Sequence, residues 1–552
     1  MLEKLLELAR VFDANGYELY MVGGTVRDLL MRREHSPDVD LTTNARPDEI
    51  KRLANLTNPT ALVSVGEQFG TIRLHYRRPE GAPADEPGAG GIVPAAVASH
   101  PADEDVIEIT TYRSDVYSGD SRKPAVTFGE SLAGDLLRRD FTINAMARNP
   151  LSGEIIDLCG GNADLERQLI RAVGDEPEQR FDEDPLRMLR AARFAAQLGF
   201  AIEERTARAM ARQAGTLAKI STERIRDEFT KLLMTPNPAT GIRLLADLGL
   251  MPFIVPEVLE LRGVSQQPAG RSKEVYEHVL RVVERTPPRA AVRWAGLLHD
   301  IAKPRTRSFE GGQVHFYGHE DVGAVMARDI LRRLKFDRPF IEYVTRLVKL
   351  HMRANAYQPE WTDGAVRRLM LDAGDALPDL LDLSRADITS YRPDKLARAA
   401  ARTNELEERT RVLREEAERV PLRSPLDGND LMTLFGRGPG PWLRPLKEYL
   451  LGLVLDGQLA AEERERAEEL ARAYMAREAA GKAETAVGEA EAEAEAEARA
   501  GRDAAAGEQQ LGARVGKRRA TPRDGDASRS SGDAPPAGPD APATAPPRSG
   551  GQ

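Results

Sequence analysis

The sequence predicts an α+β chain: a small mixed β-sheet first, a mostly α-helical stretch after it, and a disordered C-terminal tail. Three observations carry that reading. Short apolar or alternating segments with neighbouring glycines, the mark of strands, fall within the first 160 residues, at Leu19–Val22, Asp38–Leu41, Phe69–Tyr76 and Val106–Thr110. From Glu203 to Met251, and again over much of 273 to 459, the apolar spacing becomes helical. After about Ala479 the composition collapses into Ala, Glu, Gly and Pro, with too little apolar surface to offset the entropy of ordering. At 552 residues the chain exceeds a single core and suggests roughly three or four domains.

Leu2, Leu5, Leu6, Ala9 and Phe12 form one stripe of a short amphipathic helix that packs beside the first strand. Leu19–Val22 then runs into Gly23-Gly24 and a helical Thr25–Leu30, giving the order strand, glycine turn, helix. Glycines at such a junction admit an anion close to backbone N–H groups, and the helix start adds positive dipole, so phosphate is a natural guest. Arg27 would add a fixed charge. Asp38 and Asp40 alternate along a strand pattern and so share a face, where two carboxylates suit Mg²⁺ shared with substrate phosphates. Two such ions can activate an attacking oxygen and neutralise a leaving pyrophosphate, which points to nucleotidyl transfer. Taken alone, Gly-Gly is usually a turn and Asp-x-Asp a solvated loop; the force lies in their order. No Gly-x-x-x-x-Gly-Lys is present, which sets P-loop chemistry aside.

Pro47 to Asn55 reads as a helix, and residues 77–105, rich in Gly, Pro and Ala, as a surface loop inserted between strands. Glu108 lies between apolar residues that face the other way. It is either a third acidic group near the metals or a solvent-facing strand carboxylate. Arg113 to Phe128 is polar and glycine-bearing, hence a mobile loop, and Asp135 to Ala145 is read as opening a helix.

The set Gly23-Gly24-Thr-Val-Arg27-Asp28 followed by Asp38-Val-Asp40-Leu-Thr-Thr resembles the head of the class II tRNA nucleotidyltransferases, the family of bacterial CCA-adding enzymes and poly(A) polymerases. The resemblance covers about residues 15 to 460. Arg138-Arg139-Asp140-Phe141 matches that family's second motif, which implies contacts from Arg139 and Asp140 to the nucleotide's phosphate and ribose. Arg113–Phe128 resembles its flexible loop. Residues 156–175 resemble the head-to-neck segment, with Leu158-Cys159 departing from the usual proline and aromatic residues. The implied layout is a catalytic head over 1–160, a neck over 161–265 with base-recognition and RNA-binding parts, an HD domain over 266–400, a helical body over 401–478 and a tail over 479–552.

Phe181–Phe194 opens a long helical pattern in which Asp184 and Arg187 share a face. An intrahelical ion pair would explain them. Base reading is the alternative: adenine and cytosine both present an amino donor beside an unprotonated ring nitrogen, matched by one carboxylate acceptor and one guanidinium donor. The resemblance implies this second role, selecting ATP and CTP without a template. Arg190 and Arg193 continue at steps of three and could reach the triphosphate.

Five of the eight histidines fall between residues 273 and 390: His278, His299, His315, His319 and His351. With Asp300 and Asp387 they offer imidazole and carboxylate ligands suited to a divalent transition metal that activates water. His278, His299-Asp300 and Asp387 resemble the HD-domain phosphohydrolases, implying Ni²⁺, Mn²⁺ or Co²⁺. His319-Glu320 and His351 are accessory candidates. A helical scaffold that has lost its metal is the alternative.

The single cysteine, Cys159, excludes an intrachain disulfide and a multi-cysteine zinc site. A net charge of −9 argues against an overall basic nucleic-acid coat while leaving room for a local basic face. No apolar run long enough to span a membrane occurs, so a cytoplasmic enzyme is expected. The function expected is addition of CMP and AMP to tRNA 3′ ends from CTP and ATP. Rival readings are a poly(A) polymerase or A-adding enzyme, an HD phosphohydrolase with a degenerate head, and a non-catalytic RNA-binding scaffold.

Overall fold

The computed structural model describes residues 1–33, 38–65, 70–78, 104–116, 125–128, 131–266, 274–388, 392–419 and 423–479. Helix α1 (Leu2–Ala14) buries Leu5, Leu8, Ala9 and Phe12. Leu8 takes the place expected of Leu2, which is 63% exposed. Strand β1 (Leu19–Val22) leads through Gly23 into α2 (Gly24–Leu30), followed by β2 (Asp38–Thr43) and α3 (Pro47–Ala54). Strands β3 (Ala61–Val65), β4 (Thr71–Arg77) and β5 (Glu104–Thr111) form a meander. Most of the insertion read at 77–105 lies outside the described residues; its two ends, Arg77 and Glu104, are paired across β4 and β5.

The segment expected to be a loop at 113–128 contains a hairpin of β6 (Arg113–Val116) and β7 (Ala125–Phe128), with residues 117–124 outside the described set. Helix α4 (Leu132–Leu137) comes next, so Asp135 to Ala145 closes a helix and continues as a 3-10 turn at Thr142–Asn144, rather than opening one. Strands β8 (Met146–Arg148) and β9 (Ile155–Asp157) complete a seven-stranded mixed sheet in the order β3-β4-β5-β2-β1-β8-β9. Among its pairings only β2 with β5 is parallel. That pairing sets Asp40 directly beside Glu108.

Helix α5 (Gly161–Glu166) joins the sheet to a helical array. Strands β10 (Leu169–Ile170) and β11 (Ala201–Ile202) pair in parallel around α6 (Pro177–Glu183) and α7 (Leu186–Leu198). Then come α8 (Glu204–Gln213), α9 (Thr222–Leu233), α10 (Pro238–Asp247), α11 (Glu257–Glu260), α12 (Val275–Arg285) and α13 (Ala290–Leu298). A hairpin, β12 (Arg307–Glu310) with β13 (Gln313–Phe316), precedes α14 (His319–Arg333), α15 (Arg338–Asn355), α16 (Asp363–Ala373), α17 (Leu377–Asp387) and α18 (Pro393–Arg419). No described helix is long and apolar enough to cross a membrane.

Among the described residues, 425–450 and 462–479 form a second compact unit. Within it Asp427 caps α19 (Gly428–Phe435), and Arg464 pairs with Asp430 at 2.6 Å. Helix α20 (Leu443–Leu455) begins in this unit.

Two apolar cores organise the first unit. One lies under the sheet against α1 and α3. The other runs from Phe141 to Leu413 and so joins α7, α9 and α10 to the histidine-bearing helices. Phe141 meets Phe194 of α7 edge-on at 5.9 Å. Trp294 of α13 stands against Phe229 of α9 and Phe336 at 5.4 and 5.3 Å, and its indole donates to Thr230. Beside it Arg293, 4% exposed, donates to the carbonyls of Leu233 and Thr286 at 2.8 Å each. Burial pushes this guanidinium down to about 10.

The turn into α5 yields a local test. A methyl group on Gly161 would lie 2.2 Å from the Thr142 carbonyl oxygen, whereas Gly160, with φ of +73°, has open space around it. Gly161→Ala should cost about 3 kcal/mol through overpacking, and Gly160→Ala about 1 kcal/mol through backbone strain. Urea unfolding of both variants checks the order, and the reverse order would contradict this packing.

Candidate active site and metal centre

The catalytic candidates converge where β1 ends. Gly23 caps α2 with φ of 68°, and a methyl group there would sit 3.1 Å from Arg139 Nη1 and 3.7 Å from Asp40 Oδ2. The missing side chain is what lets a carboxylate and a guanidinium flank this turn. Asp40 is exposed, and its backbone N–H donates to Thr25 Oγ1 at 3.0 Å, tying β2 to α2. Asp38 stands two positions earlier on β2, opposite Val106. Glu108, beside Asp40 in register, accepts from Arg73 Nε at 2.8 Å.

Arg139 is held by a residue that sequence reading did not single out. Asp135, fully buried, accepts from Arg139 Nη2 at 3.0 Å and from Arg138 Nη2 at 2.7 Å. Burial opposes its ionisation, yet the two guanidiniums hold it below the usual carboxylate range. Arg139 Nε remains buried without a hydrogen-bond partner. A donor left over beside an exposed carboxylate and a glycine turn suits an anionic oxygen.

Asp140 and Arg190 tie this head site to α7. Arg190 donates from Nε and Nη2 to Asp140 Oδ2 at 2.8 and 2.7 Å, while Asp140 Oδ1 accepts from Phe141 N and Asn144 Nδ2. Asn144 Oδ1 in turn accepts from Arg27 Nη1 at 2.8 Å. Arg27 departs from the expectation of a charge facing phosphate: it is 3% exposed, forked onto Asp28, and lies over the Phe194 ring. It braces α2 from behind. Arg190 and Arg193 stack on the same ring, at 5.4 and 4.2 Å. Arg193 turns to Glu228 of α9 at 2.5 Å rather than outward.

Asp184 and Arg187 do not share a helix face as expected, because α6 stops at Glu183 and Asp184 takes an extended backbone before Pro185. They also form no ion pair with each other. Asp184 Oδ1 accepts from Leu186 N at 3.1 Å, and Oδ2 from Arg224 of α9 at 2.7 Å. Arg187 donates to Glu183 at 2.6 Å and to the Arg138 carbonyl at 3.0 Å. Arg224 and Glu228 are the partners missed from sequence; both sit in Glu223–Phe229, some forty residues from the groups they hold.

In the second constellation, α12 supplies His278, the end of α13 His299 and Asp300, the start of α14 His319, α15 His351, and the end of α17 Asp387. His278 Nε2 lies 3.2 Å from His299 Nε2 and 3.0 Å from Asp387 Oδ1. His315 stands apart on β13, stacked on Tyr317. Burial works against a charge on His299, but Asp300 and Asp387 outweigh it and lift the imidazole to about 10; burial takes His351 down to about 4. A cavity of about 220 Å³ opens beside Asp387, lined among others by Asn355, Ser384 and Arg402. Ser384 donates to Asn355 Oδ1 at 2.6 Å, and Asn355 donates to Asp387. Arg402 has no ion-pair partner among the described residues.

A mixed sheet bearing Gly-Gly and Asp-x-Asp at one strand end, continued by a helical array with a histidine-aspartate cluster, defines a nucleotidyltransferase head joined to an HD domain. Comparison with known proteins agrees. Residues 19–85 and 90–171 match the family described as "Poly A polymerase head domain", 199–261 "Probable RNA and SrmB- binding site of polymerase A", and 269–392 "HD domain". A CCA-adding enzyme of Geobacillus sp. (strain WCH70) is 30% identical over 462 residues, covering 83% of this chain and 93% of that one. An A-adding tRNA nucleotidyltransferase of Deinococcus radiodurans is 36% identical over 375 residues, 64% and 82% of the two chains. The crystal structure of the Bacillus stearothermophilus CCA-adding enzyme in complex with CTP superposes with a TM-score of 0.60 at 27% identity, covering 86% and 98%. The chain belongs to the tRNA nucleotidyltransferase/poly(A) polymerase family, with an HD domain.

Asp140 supplies a pH test. Burial favours its neutral form, but Arg190, Asn144 and the Phe141 N–H hold it down at about 2. A carboxyl depressed on folding contributes stability that is complete above its unfolded value near 4 and is lost as pH falls toward 2. Asp140→Asn should therefore cost about 2 kcal/mol at pH 7, with the deficit constant down to about pH 4 and shrinking at pH 3.5. Urea midpoints at pH 7, 5 and 3.5 measure this; a deficit that grows with acid would contradict it.

Proposed function

We propose that this chain adds CMP and AMP to tRNA 3′ ends without a template, taking CTP and ATP. The observation that carries this is the meeting of Gly23, Asp40 and Arg139, together with relatives named for CCA addition. Asp38 and Asp40 are the groups to hold Mg²⁺, with Glu108 adjoining in register. Bound there in a two-metal arrangement, the ions would activate the tRNA 3′ oxygen and neutralise pyrophosphate. The chain's own residues do the positioning. Gly23 and Gly24 let the triphosphate approach the backbone, and Arg139 Nε supplies an unused donor to it. Asp140 fixes the 141–144 turn and, through Arg190, the orientation of α7.

For base choice, Asp184 and Arg187 would present acceptor and donor to adenine or cytosine. Their present partners, Arg224 and Glu183, must then yield or be shared. The layout proposed is a head over 1–160, a neck over 161–265, an HD domain over 266–400 and a body over 401–478, with acceptor-stem recognition resting on A-form shape and phosphates. At the HD site His278, His299, Asp300 and Asp387 would hold a divalent transition metal that supplies a water nucleophile. The cavity beside Asp387, with Arg402 on its wall, fits a small phosphate ester. Removal of 2′,3′-cyclic or terminal phosphates there would prepare the free 3′-hydroxyl that nucleotidyl transfer requires. The similarity to an A-adding enzyme sustains a second reading, A-only addition.

Incubating the protein with tRNA that ends before CCA, and with each NTP singly and together, tests the main reading by product length. Three added nucleotides with CTP plus ATP are expected, and none for Asp40→Ala under Mg²⁺ although tRNA binding persists. Extension by A alone, on a tRNA already ending in CC, would establish the A-adding reading instead.

Asp184→Ala and Arg187→Ala should relax choice among the four NTPs by at least tenfold. Arg224→Ala, which removes only the present partner of Asp184, should leave the preference for ATP and CTP intact. Misincorporation assays with GTP and UTP read this out. Undiminished selectivity in the first two variants would reduce the pair to bracing between α6, α7 and α9.

A further inference from the structure

The β12–β13 hairpin and Tyr317 after it belong to neither candidate site, yet their rings stand out in solvent. Gly311 and Gly312, with φ of +57° and +74°, close the hairpin in a two-residue turn of the tight kind that keeps short strands in register. Its base is anchored. The carbonyl of Phe316 accepts from His319 Nδ1 at 2.8 Å, and the Phe316 ring packs against the helical core with the Lys303 ammonium 5.4 Å from its centre.

Register divides the side chains between two faces. Arg307 and Phe309 share one, across from Phe316 and Val314; Ser308 shares the other with His315, on which Tyr317 stacks. Phe309 is 68% and Tyr317 64% exposed, more than any other phenylalanine, tyrosine or tryptophan among the described residues. The Arg307 guanidinium lies 4.7 Å from the centre of Phe309, and His315 lies 5.0 Å from Tyr317 with the rings 7° from parallel. Each face thus offers a flat group backed by a second.

Large rings grouped in solvent on one element mark a surface that another molecule covers. The surroundings say which. An apolar protein partner would need aliphatic neighbours, whereas the rings stand among Thr306, Ser308, Glu310 and Gln313. Planar groups in polar surroundings suit nucleobases, which stack on aromatic and guanidinium planes alike. Charge agrees. Of the three cations in residues 303–307, Lys303 is taken by Asp300 and Arg305 by Glu260, while Arg307 pairs with no carboxylate among the described residues and its Nε has no hydrogen-bond partner. Its charge is open to a phosphate. Glu310, the hairpin's one carboxylate, adjoins the turn, which directs a phosphate backbone toward Arg307 at the base. Duplex RNA already buries its base faces in its own stack, so the occupant is an unpaired strand.

We propose that this hairpin is a stacking platform for unpaired RNA, holding one base against Phe309 and Arg307 and another against Tyr317 and His315. It rests on no catalytic activity of the head or of the histidine cluster. It gives the histidine-bearing helices an RNA contact of their own, apart from the acceptor-stem recognition proposed above.

The full chain is titrated, by fluorescence anisotropy, into fluorescein-labelled oligoadenylate and into a blunt RNA duplex of equal length. Phe309→Ala with Tyr317→Ala should weaken oligoadenylate binding about tenfold and leave duplex binding unchanged. Phe309→Tyr with Tyr317→Phe, which keeps both rings, should bind as the parent does. Arg307→Gln should lower the salt dependence of oligoadenylate binding by about one phosphate contact. Photocrosslinking of thiouridine-substituted single-stranded RNA to the parent, mapped by mass spectrometry, should mark Phe309 or Tyr317 and needs no variant to fold. Equal affinity for oligoadenylate in the parent and the alanine pair, with crosslinks confined to residues outside 307–317, overturns the proposal. So does self-association of the parent that the alanine pair abolishes while oligoadenylate binding is unaffected, which would make the hairpin an interface between copies of this chain.

Discussion

The ion pair between buried Asp140 and Arg190 is the constraint on which the head site depends. Asp140 belongs to the turn after α4 and is buried, whereas Arg190, in the middle of α7, keeps about 35% of its side chain exposed. Loss of Arg190 would strand the buried Asp140 carboxylate, while loss of Asp140 leaves a guanidinium that still reaches solvent. Because Asp140 also accepts from Asn144, and Asn144 from Arg27, the pair extends to α2 and the glycine turn. Phe194 adds an apolar counterpart, with three guanidiniums gathered on one ring. The glycine turn at Gly23 and the helix that carries Arg187 are thus one mechanical object.

Local pattern made much of this legible. Strand β1 and helix α2 are visible because apolar residues, glycines and helical spacing lie within a dozen positions. The alternation of Asp38 and Asp40 is likewise a property of one strand. Sequence spacing failed where the backbone leaves its regular period. Asp184 and Arg187 are three apart, yet Pro185 separates two helices there, so helical geometry does not relate them. Arg27 looked like a free cation because its neighbour Asp28 and the distant Asn144 carry no sign, in one dimension, that they enclose it. Asp135 was unremarkable for the same reason: two arginines following within four residues read as surface charge until the tertiary fold buries the carboxylate.

The histidine cluster shows the opposite balance. Its members come from five helices, and the spacing between them says little, but their rarity elsewhere in the chain drew attention to them. What sequence could not supply was the orientation of each ring. For His299, His319 and His351 it is set by the main-chain carbonyl three residues earlier, which accepts from the ring's Nδ1.

Trp294 and Arg293 place a limit on how this molecule can change over evolutionary time. They lock the histidine-bearing helices to the neck through aromatic contacts and main-chain carbonyls, within a core that has no seam between the two. A lineage with no use for the histidine cluster would be free to lose His278 or Asp387, since a few side chains are easily exchanged. It would not be free to shed the helices that carry them, because excision would expose the apolar side of the neck. The architecture therefore favours silent inheritance: packing alone keeps these helices in place, whatever becomes of the cluster they carry.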